Sequence, residues 1–160
     1  MTNKLLKNKI ENRLKSLKNC SRSQTLNIVI EELKRIGQFR SCIIADENGL
    51  FLAENIHKQS NKEDLSAASA IGGEFIERFQ DYLKMGNISF SYYVTSSSHI
   101  WIKRIFLPHS KETLILFITK DRRIADRLSS STLKLLKKNT LHLPSLFDTA
   151  TEFIIKACKD

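Results

Sequence analysis

The spacing of apolar residues along the chain predicts an alternation of helices and strands. The first strong pattern has a helical period and follows Ser21 and Gln24, which have the spacing of a capping box. The apolar positions of this first core helix are Leu26, Val29, Ile30, Leu33 and Ile36. Gly37 comes next and is the expected C′ residue, so the helix is predicted to end there.

Five further segments have the patterns of strands. Residues 42–45 and 114–118 are apolar at every position, which is typical of strands covered on both faces. We therefore place these two strands side by side in the middle of one sheet. Residues 88–95 alternate between apolar and polar, so this strand is assigned to an edge. Its predicted buried positions are Ile88, Phe90, Tyr92 and Val94. The pair Asn48-Gly49 predicts a hairpin turn after the first strand, and residues 50–54 and 99–106 complete the set.

A long helix is predicted between the second and third strands. Ser60 and Glu63 have capping-box spacing, and the apolar residues keep a helical phase up to a stop at Gly86. After the fifth strand, residues 124–138 predict a third core helix, and the apolar residues from Ser145 onward predict a short fourth one. The expected fold class is α+β, with a five-stranded antiparallel sheet and helices on both faces.

The length of 160 residues fits one domain with short extensions. We assign residues 1–21 to a basic amphipathic N-terminal extension, 22–139 to the domain and 140–160 to a C-terminal helical extension. The net charge of +9 resides at the ends, because residues 41–100 contain four Lys and Arg against eight Asp and Glu. The sequence contains neither a signal peptide nor an apolar run that could cross a bilayer, so the expected location is cytoplasmic.

Two stretches and their order along the chain resemble the roadblock family, named for a dynein light chain. Residues 41–54 (SCIIADENGLFLAE) are similar to its strand, Asp-x-x-Gly turn and second strand, and residues 63–73 (EDLSAASAIGG) to its Ala-rich helix. Thr119-Lys120-Asp121 is similar to the family's exit into the last helix. The resemblance covers about residues 22–138, and the polar run at 129–132 inside that last helix departs from it.

The resemblance implies a small dimeric module that has no catalytic residues and binds, regulates or scaffolds with Ras-like small GTPases. In such dimers the edge strands join and the middle helices pack together. The expected dimer interface is Ala67, Ala68, Ala70, Ile71, Gly72, Gly73, Phe75, Phe90, Tyr92 and Val94. Each Gly costs a helix about 1 kcal/mol relative to Ala, and a close helix partner would offset that cost. The alternative is that the small residues fit the helix onto its own sheet.

Cysteines and histidines are present, but their spacing does not match that of known catalytic or metal-binding motifs. Cys20, Cys42 and Cys158 form no Cys-x-x-Cys pair, and Cys42 lies in an apolar run where a thiol is usually inert. The four histidines, His57, His99, His109 and His142, do not have the spacing of a metal site. No phosphate-binding glycine motif occurs. We expect no enzyme activity of its own, no cofactor and no metal, although the protein could act as a GTPase activator by ordering the GTPase's residues.

Two groups of basic residues are candidates for binding a partner, and the sequence does not decide which kind of partner. Arg122, Arg123 and Arg127 lie at the expected start of the last core helix, where the helix dipole disfavours cations, so they are candidates for binding an acidic partner. Residues 1–21 could bind a membrane surface or a partner's groove, or could simply pack on the domain by their apolar stripe. The alternative functions are a small-molecule sensor domain and a basic nucleic-acid-binding protein, the latter disfavoured because residues 1–21 contain no aromatic side chains for stacking.

Overall fold

The computed structural model describes residues 2–17, 19–84, 86, 88, 90–122 and 143–159. Along the chain, the elements are α1 (Thr2–Ser16), α2 (Arg22–Gly37), β1 (Ser41–Asp46), β2 (Phe51–Asn55), α3 (Lys62–Leu83), β3 (Ser91–Val94), β4 (Ser98–Phe106), β5 (Thr113–Asp121) and α4 (Leu143–Ala157). The predicted helix at 124–138 lies outside the described residues, as do Arg123, Arg127 and His142.

The five strands form one antiparallel sheet in the order β2-β1-β5-β4-β3. The two fully apolar segments are neighbours, since Ile43 of β1 lies opposite Phe117 of β5. The alternating segment forms β3 at one edge. Both placements confirm the prediction, and so does the α+β class.

Helices cover both faces of the sheet. On one face α1, α2 and α4 share a core with Cys42, Ile44 and Trp101, whereas α3 packs on the other face against Ile102 and Ile115. The side chains of β1 alternate between these two cores, which explains why the strand is apolar throughout. The sheet therefore separates two apolar cores and contributes one face to each.

The helix α1 packs on the domain by its apolar stripe. Leu6 and Ile10 are fully buried in the core that α2 and α4 also line. Near the start of α1, the Ser145 hydroxyl and the Asn3 carboxamide oxygen are 3.0 Å apart. Of the interpretations of residues 1–21, the structure favours packing on the chain itself.

The helix α2 ends at Gly37 as predicted, but the left-handed residue is the one that follows it. Gly37 is the last residue of α2, and Gln38 takes the left-handed conformation (φ 52°). Glycine is needed at 37 because a Cβ there would lie 2.0 Å from the Phe39 ring. The capping box of Ser21 and Gln24 is present as predicted.

The helix α3 begins after Asn61 instead of Ser60, because the Asn61 side chain accepts a hydrogen bond from the Glu63 backbone N–H at 2.9 Å. It ends at Leu83, and Lys84 takes the left-handed conformation (φ 49°) ahead of the predicted stop at Gly86. In both helices the left-handed residue at the C-terminal end is not a glycine.

An ion-pair network fixes α1 to α2 and makes stability depend on pH. The Glu32 side chain is only 8% exposed and accepts hydrogen bonds from Arg35 Nε (3.0 Å) and Arg13 Nη1 (3.2 Å). Burial alone would raise the pKa of Glu32, but the hydrogen bonds from Arg35 and Arg13 outweigh it, so the pKa lies below its usual value. This contribution to stability is present above the unfolded-state pKa and is lost as the pH falls through the lower, folded-state pKa.

We expect Glu32→Gln to lower the free energy of unfolding by about 1–2 kcal/mol at neutral pH, because the charge-assisted hydrogen bonds from Arg13 and Arg35 are weakened. The difference in unfolding free energy between the variant and the unmodified chain should shrink as the pH is lowered below the usual pKa of a glutamate. Urea unfolding at a series of pH values measures it. Glu31→Gln is the control, since Glu31 also pairs with Arg13 but is 47% exposed and should cost less than about 1 kcal/mol. Equal effects at 31 and 32 would contradict the prediction.

Candidate interaction surface

The outward side of α3 carries a row of exposed apolar side chains. Its members recur every three or four residues and so lie on one side of the helix. We call this row the outer stripe: Ile71 (65% exposed), Phe75 (52%), Phe79 (44%) and Tyr82 (86%). The rings of Phe75 and Phe79 stack with their centroids 5.6 Å apart. Ala67 and Ala68 are also exposed and extend the apolar surface toward the start of the helix.

The glycines of α3 lie on the opposite side, against the chain's own sheet. Gly72 and Gly73 are buried, and a Cβ on either would lie 2.3 Å from Ile102 Cδ1 or 1.9 Å from Ile115 Cδ1, respectively. The prediction that these two residues contact a second subunit is therefore wrong. Close approach does explain them, but the surface that approaches is the protein's own sheet.

Ala70 is also turned partly toward its own chain. It is half-buried, and the position of a Cβ on Gly49 would lie 3.2 Å from Ala70 Cβ. The Ser66 hydroxyl donates to the Gly49 carbonyl oxygen at 2.6 Å. Ala70 thus lies where the β1–β2 hairpin rests on α3, which leaves Ala67, Ala68, Ile71 and Phe75 as the predicted interface residues of this helix that remain accessible.

The edge strand β3 offers a second accessible surface. The alternation predicts Tyr92 and Val94 on the buried face of the strand, and both are also predicted interface residues; in the single chain they are 46% and 51% exposed and therefore accessible. Tyr93, on the other face, packs against the core under α3. Within the described residues, β3 has a strand partner on one side alone, β4, so its other edge has backbone groups available for pairing. Phe90 precedes β3 and is partly buried against the core on the α2 side.

A stack of three rings stabilises the exposed side of β3. Tyr92 lies on Trp101 with ring centroids 5.3 Å apart, and His99 stacks on both rings. The Tyr92 hydroxyl also forms a hydrogen bond with His99 Nδ1. Burial raises the pKa of Tyr92, and the positive charge of Arg122 opposes that rise. Sequence reasoning missed this stack because its residues belong to two strands whose register is not visible in the pattern.

Arg122 is not the exposed cation that the sequence suggested. It is half-buried, its backbone N–H donates to the Ser97 carbonyl oxygen, and its guanidinium donates to the Thr95 carbonyl oxygen at 3.1 Å. These bonds link the end of β5 to the turn between β3 and β4. The side chain therefore has a structural role next to the edge strand.

The reactive side chains are placed as core or surface residues. Cys42 is fully buried, and burial raises the pKa of its thiol, so it is not positioned to act as a nucleophile. Among the described residues, no group of three or more His, Cys, Asp or Glu side chains could hold a metal ion. No helix in that part of the chain is long and apolar enough to cross a membrane.

Comparisons with known structures identify the fold. MglB of Myxococcus xanthus matches with a TM-score of 0.59 at 13% identity, over 82% of this chain and 92% of that one. The gliding protein MglB of Thermus thermophilus matches with a TM-score of 0.61 at 13% identity, over 88% and 93%. The chain has the MglB fold. A structure of MglB in a tetrameric arrangement matches equally well, with a TM-score of 0.61.

The MglB fold agrees with the roadblock-like architecture that the sequence suggested. No protein-family model matches this sequence, and a comparison with curated proteins gives no significant match. At 13% identity the likeness concerns the fold. The surfaces that this chain offers to a partner are the outer stripe and the edge strand β3.

Proposed function

We propose that this chain is a non-catalytic, homodimeric interaction module that binds a Ras-like small GTPase and regulates its nucleotide cycle or scaffolds it. The observation that carries the proposal is the outer stripe of α3, an exposed apolar row in a chain with the MglB fold. Monomeric proteins seldom expose contiguous apolar surface unless it is used for binding. The roadblock-like sequence features imply the class of partner.

The dimer is proposed to form through α3 and β3. Ile71 and Phe75 lie in the outer stripe, and Tyr92 and Val94 lie on the open edge strand. A two-fold axis next to β3 would let two such strands pair edge to edge, which satisfies their free backbone groups and extends the sheet across the dimer. The α3 helices would then face each other with their apolar side chains.

The packing of α3 supports an interaction module over a small-molecule sensor. A sensor of this architecture would hold its ligand between the sheet and a helix. Here Gly72 and Gly73 bring α3 so close to Ile102 and Ile115 that added Cβ atoms would collide with them. The solvent-exposed apolar side chains of α3 lie on the face that points away from the sheet. This placement suits a protein partner better than an enclosed ligand.

Two measurements on the full chain test the proposal. Light scattering coupled to size exclusion should give twice the mass of the 18.4 kDa chain. When the protein is added to Ras-like GTPases from the source cell, their rate of GTP hydrolysis or nucleotide exchange should change by about tenfold or more. Proteins that activate GTP hydrolysis by such GTPases have effects at least this large. A GTPase with an unrelated fold is the control. A monomer that alters no GTPase's rate and binds none would overturn the proposal.

A further inference from the structure

The outer surface of α1 is strongly basic, and the proposed function makes no use of it. Its exposed cations, which we call the α1 lysines, are Lys4, Lys7, Lys9 and Lys15. None of them forms an ion pair with a described residue. Glu11 is the one acidic residue in α1, and Arg13 is already engaged by Glu31 and Glu32. The helix therefore presents a net positive surface to solvent.

Lys4 and Lys7 do not serve the stability of the helix, whereas Lys15 lies in its last turn, where a cation is favoured. The first turn of α1 contains no acidic residue and includes Lys4, although the positive end of the helix dipole favours acids there. Lys4 and Lys7 have i,i+3 spacing, at which like charges repel on a helix. The burial of Leu6 and Ile10 holds the helix in place in spite of its charges. A binding role accounts for lysines that are locally unfavourable.

Two exposed leucines, one within α1 and one directly after its last residue, indicate the kind of partner. Leu5 is 48% exposed and Leu17 is 46% exposed, near the two ends of the basic surface. Lysines that alternate with a few apolar side chains suit an anionic bilayer, where the charges meet the headgroups and the apolar groups enter the interface. A nucleic acid would favour aromatic side chains for stacking, and α1 contains none.

We propose that the α1 lysines dock this protein on an anionic lipid membrane. Because the main apolar stripe of α1 is buried in the core, the contact is electrostatic and shallow, and the helix stays folded on the domain. The surface lies on the α2 and α4 side of the sheet, and the outer stripe lies on the α3 side. Membrane docking and the contacts of the outer stripe can therefore occur at the same time.

Sedimentation with lipid vesicles tests the proposal on the full chain. Vesicles of equal parts phosphatidylcholine and phosphatidylserine should bind the protein at low salt and release it as salt is raised, and pure phosphatidylcholine should not bind it. The triple variant Lys4→Gln, Lys7→Gln, Lys15→Gln should bind at least about tenfold more weakly, since each lysine near such a surface contributes to affinity. Leu5→Ser should weaken vesicle binding without changing its salt dependence.

A matched variant separates a local effect from a general effect of charge. Lys58→Gln, Lys84→Gln, Lys111→Gln removes three exposed cations from three other places, and it should bind the vesicles like the unmodified chain. The proposal would be overturned if the two triple variants lost vesicle binding equally, or if neutral vesicles bound the protein as well as anionic ones. Binding to duplex DNA or single-stranded RNA without binding to anionic vesicles would also overturn it. Thermal unfolding verifies that the variants fold, and the salt titration of the unmodified chain provides a test that needs no variant.

Discussion

Replacing Ile71 with aspartate is expected to convert the proposed dimer into a monomer. Ile71 is 65% exposed in the single chain, so the substitution should cost the isolated subunit less than about 1 kcal/mol. In a two-fold interface every substitution occurs twice, and the two new carboxylates would be brought near each other and away from water. With about 2 kcal/mol lost per copy, the dimer dissociation constant should rise roughly a thousandfold. Sedimentation velocity over a range of concentrations measures it.

Leu5→Asp is the control for this variant. Leu5 is also a half-exposed apolar residue on a helix, but it lies on the α1 side of the sheet. The control should leave the dimer intact, whereas Ile71→Asp should remove both the dimer and any effect on GTPase rates that depends on it. A dimer that tolerates aspartate at 71 would place the subunit contact elsewhere and would leave the outer stripe for the GTPase alone.

The pattern of α3 was sufficient to predict a helix but not which of its sides faces the sheet. The helix has two rows that could fill a core: one of small residues with Ile76, and one of large residues with Ile71 and Phe75. Hydrophobicity alone favours burial of the large row. The sheet takes the small row, because Ile102 and Ile115 already fill the space that larger side chains would need. That choice depends on residues about 30 to 40 positions away and is not visible locally.

Local chemistry predicted the elements better than it predicted their ends and faces. The capping box at Ser21 needs only residues three positions apart, and it forms as expected. Gly37 was read as a conformational signal, but it is required by contact with the Phe39 ring. The alternation predicts Tyr92 on the buried face of its strand, and Tyr92 is also a predicted interface residue; in the single chain it stacks on Trp101 at the open edge of the sheet. In both cases a tertiary contact decides the role of a residue whose sequence signal was ambiguous.

Replacing Phe147 with alanine is expected to lower the free energy of unfolding by about 3–5 kcal/mol. Phe147 is 2% exposed in α4, and its ring centroid lies 6.0 Å from that of Phe39 and 6.2 Å from that of Trp101. The change leaves a cavity and removes aromatic contacts at the point where α4 meets the sheet and α2. Since Trp101 is the one tryptophan of the sequence, its emission should also shift to longer wavelength as water approaches the ring. Urea unfolding followed by fluorescence and circular dichroism measures both effects.

Phe106→Ala removes the same side chain from a position that is 60% exposed, so it should cost less than about 1 kcal/mol. The contrast between the two variants tests whether α4 is part of the folded core. Because α1 packs against α4 as well as α2, loss of the Phe147 contacts should also loosen α1 and weaken its protection from proteases. If Phe147→Ala were no more destabilising than Phe106→Ala, the C-terminal helix would not be docked on the sheet, and α1 would have to be held by α2 alone.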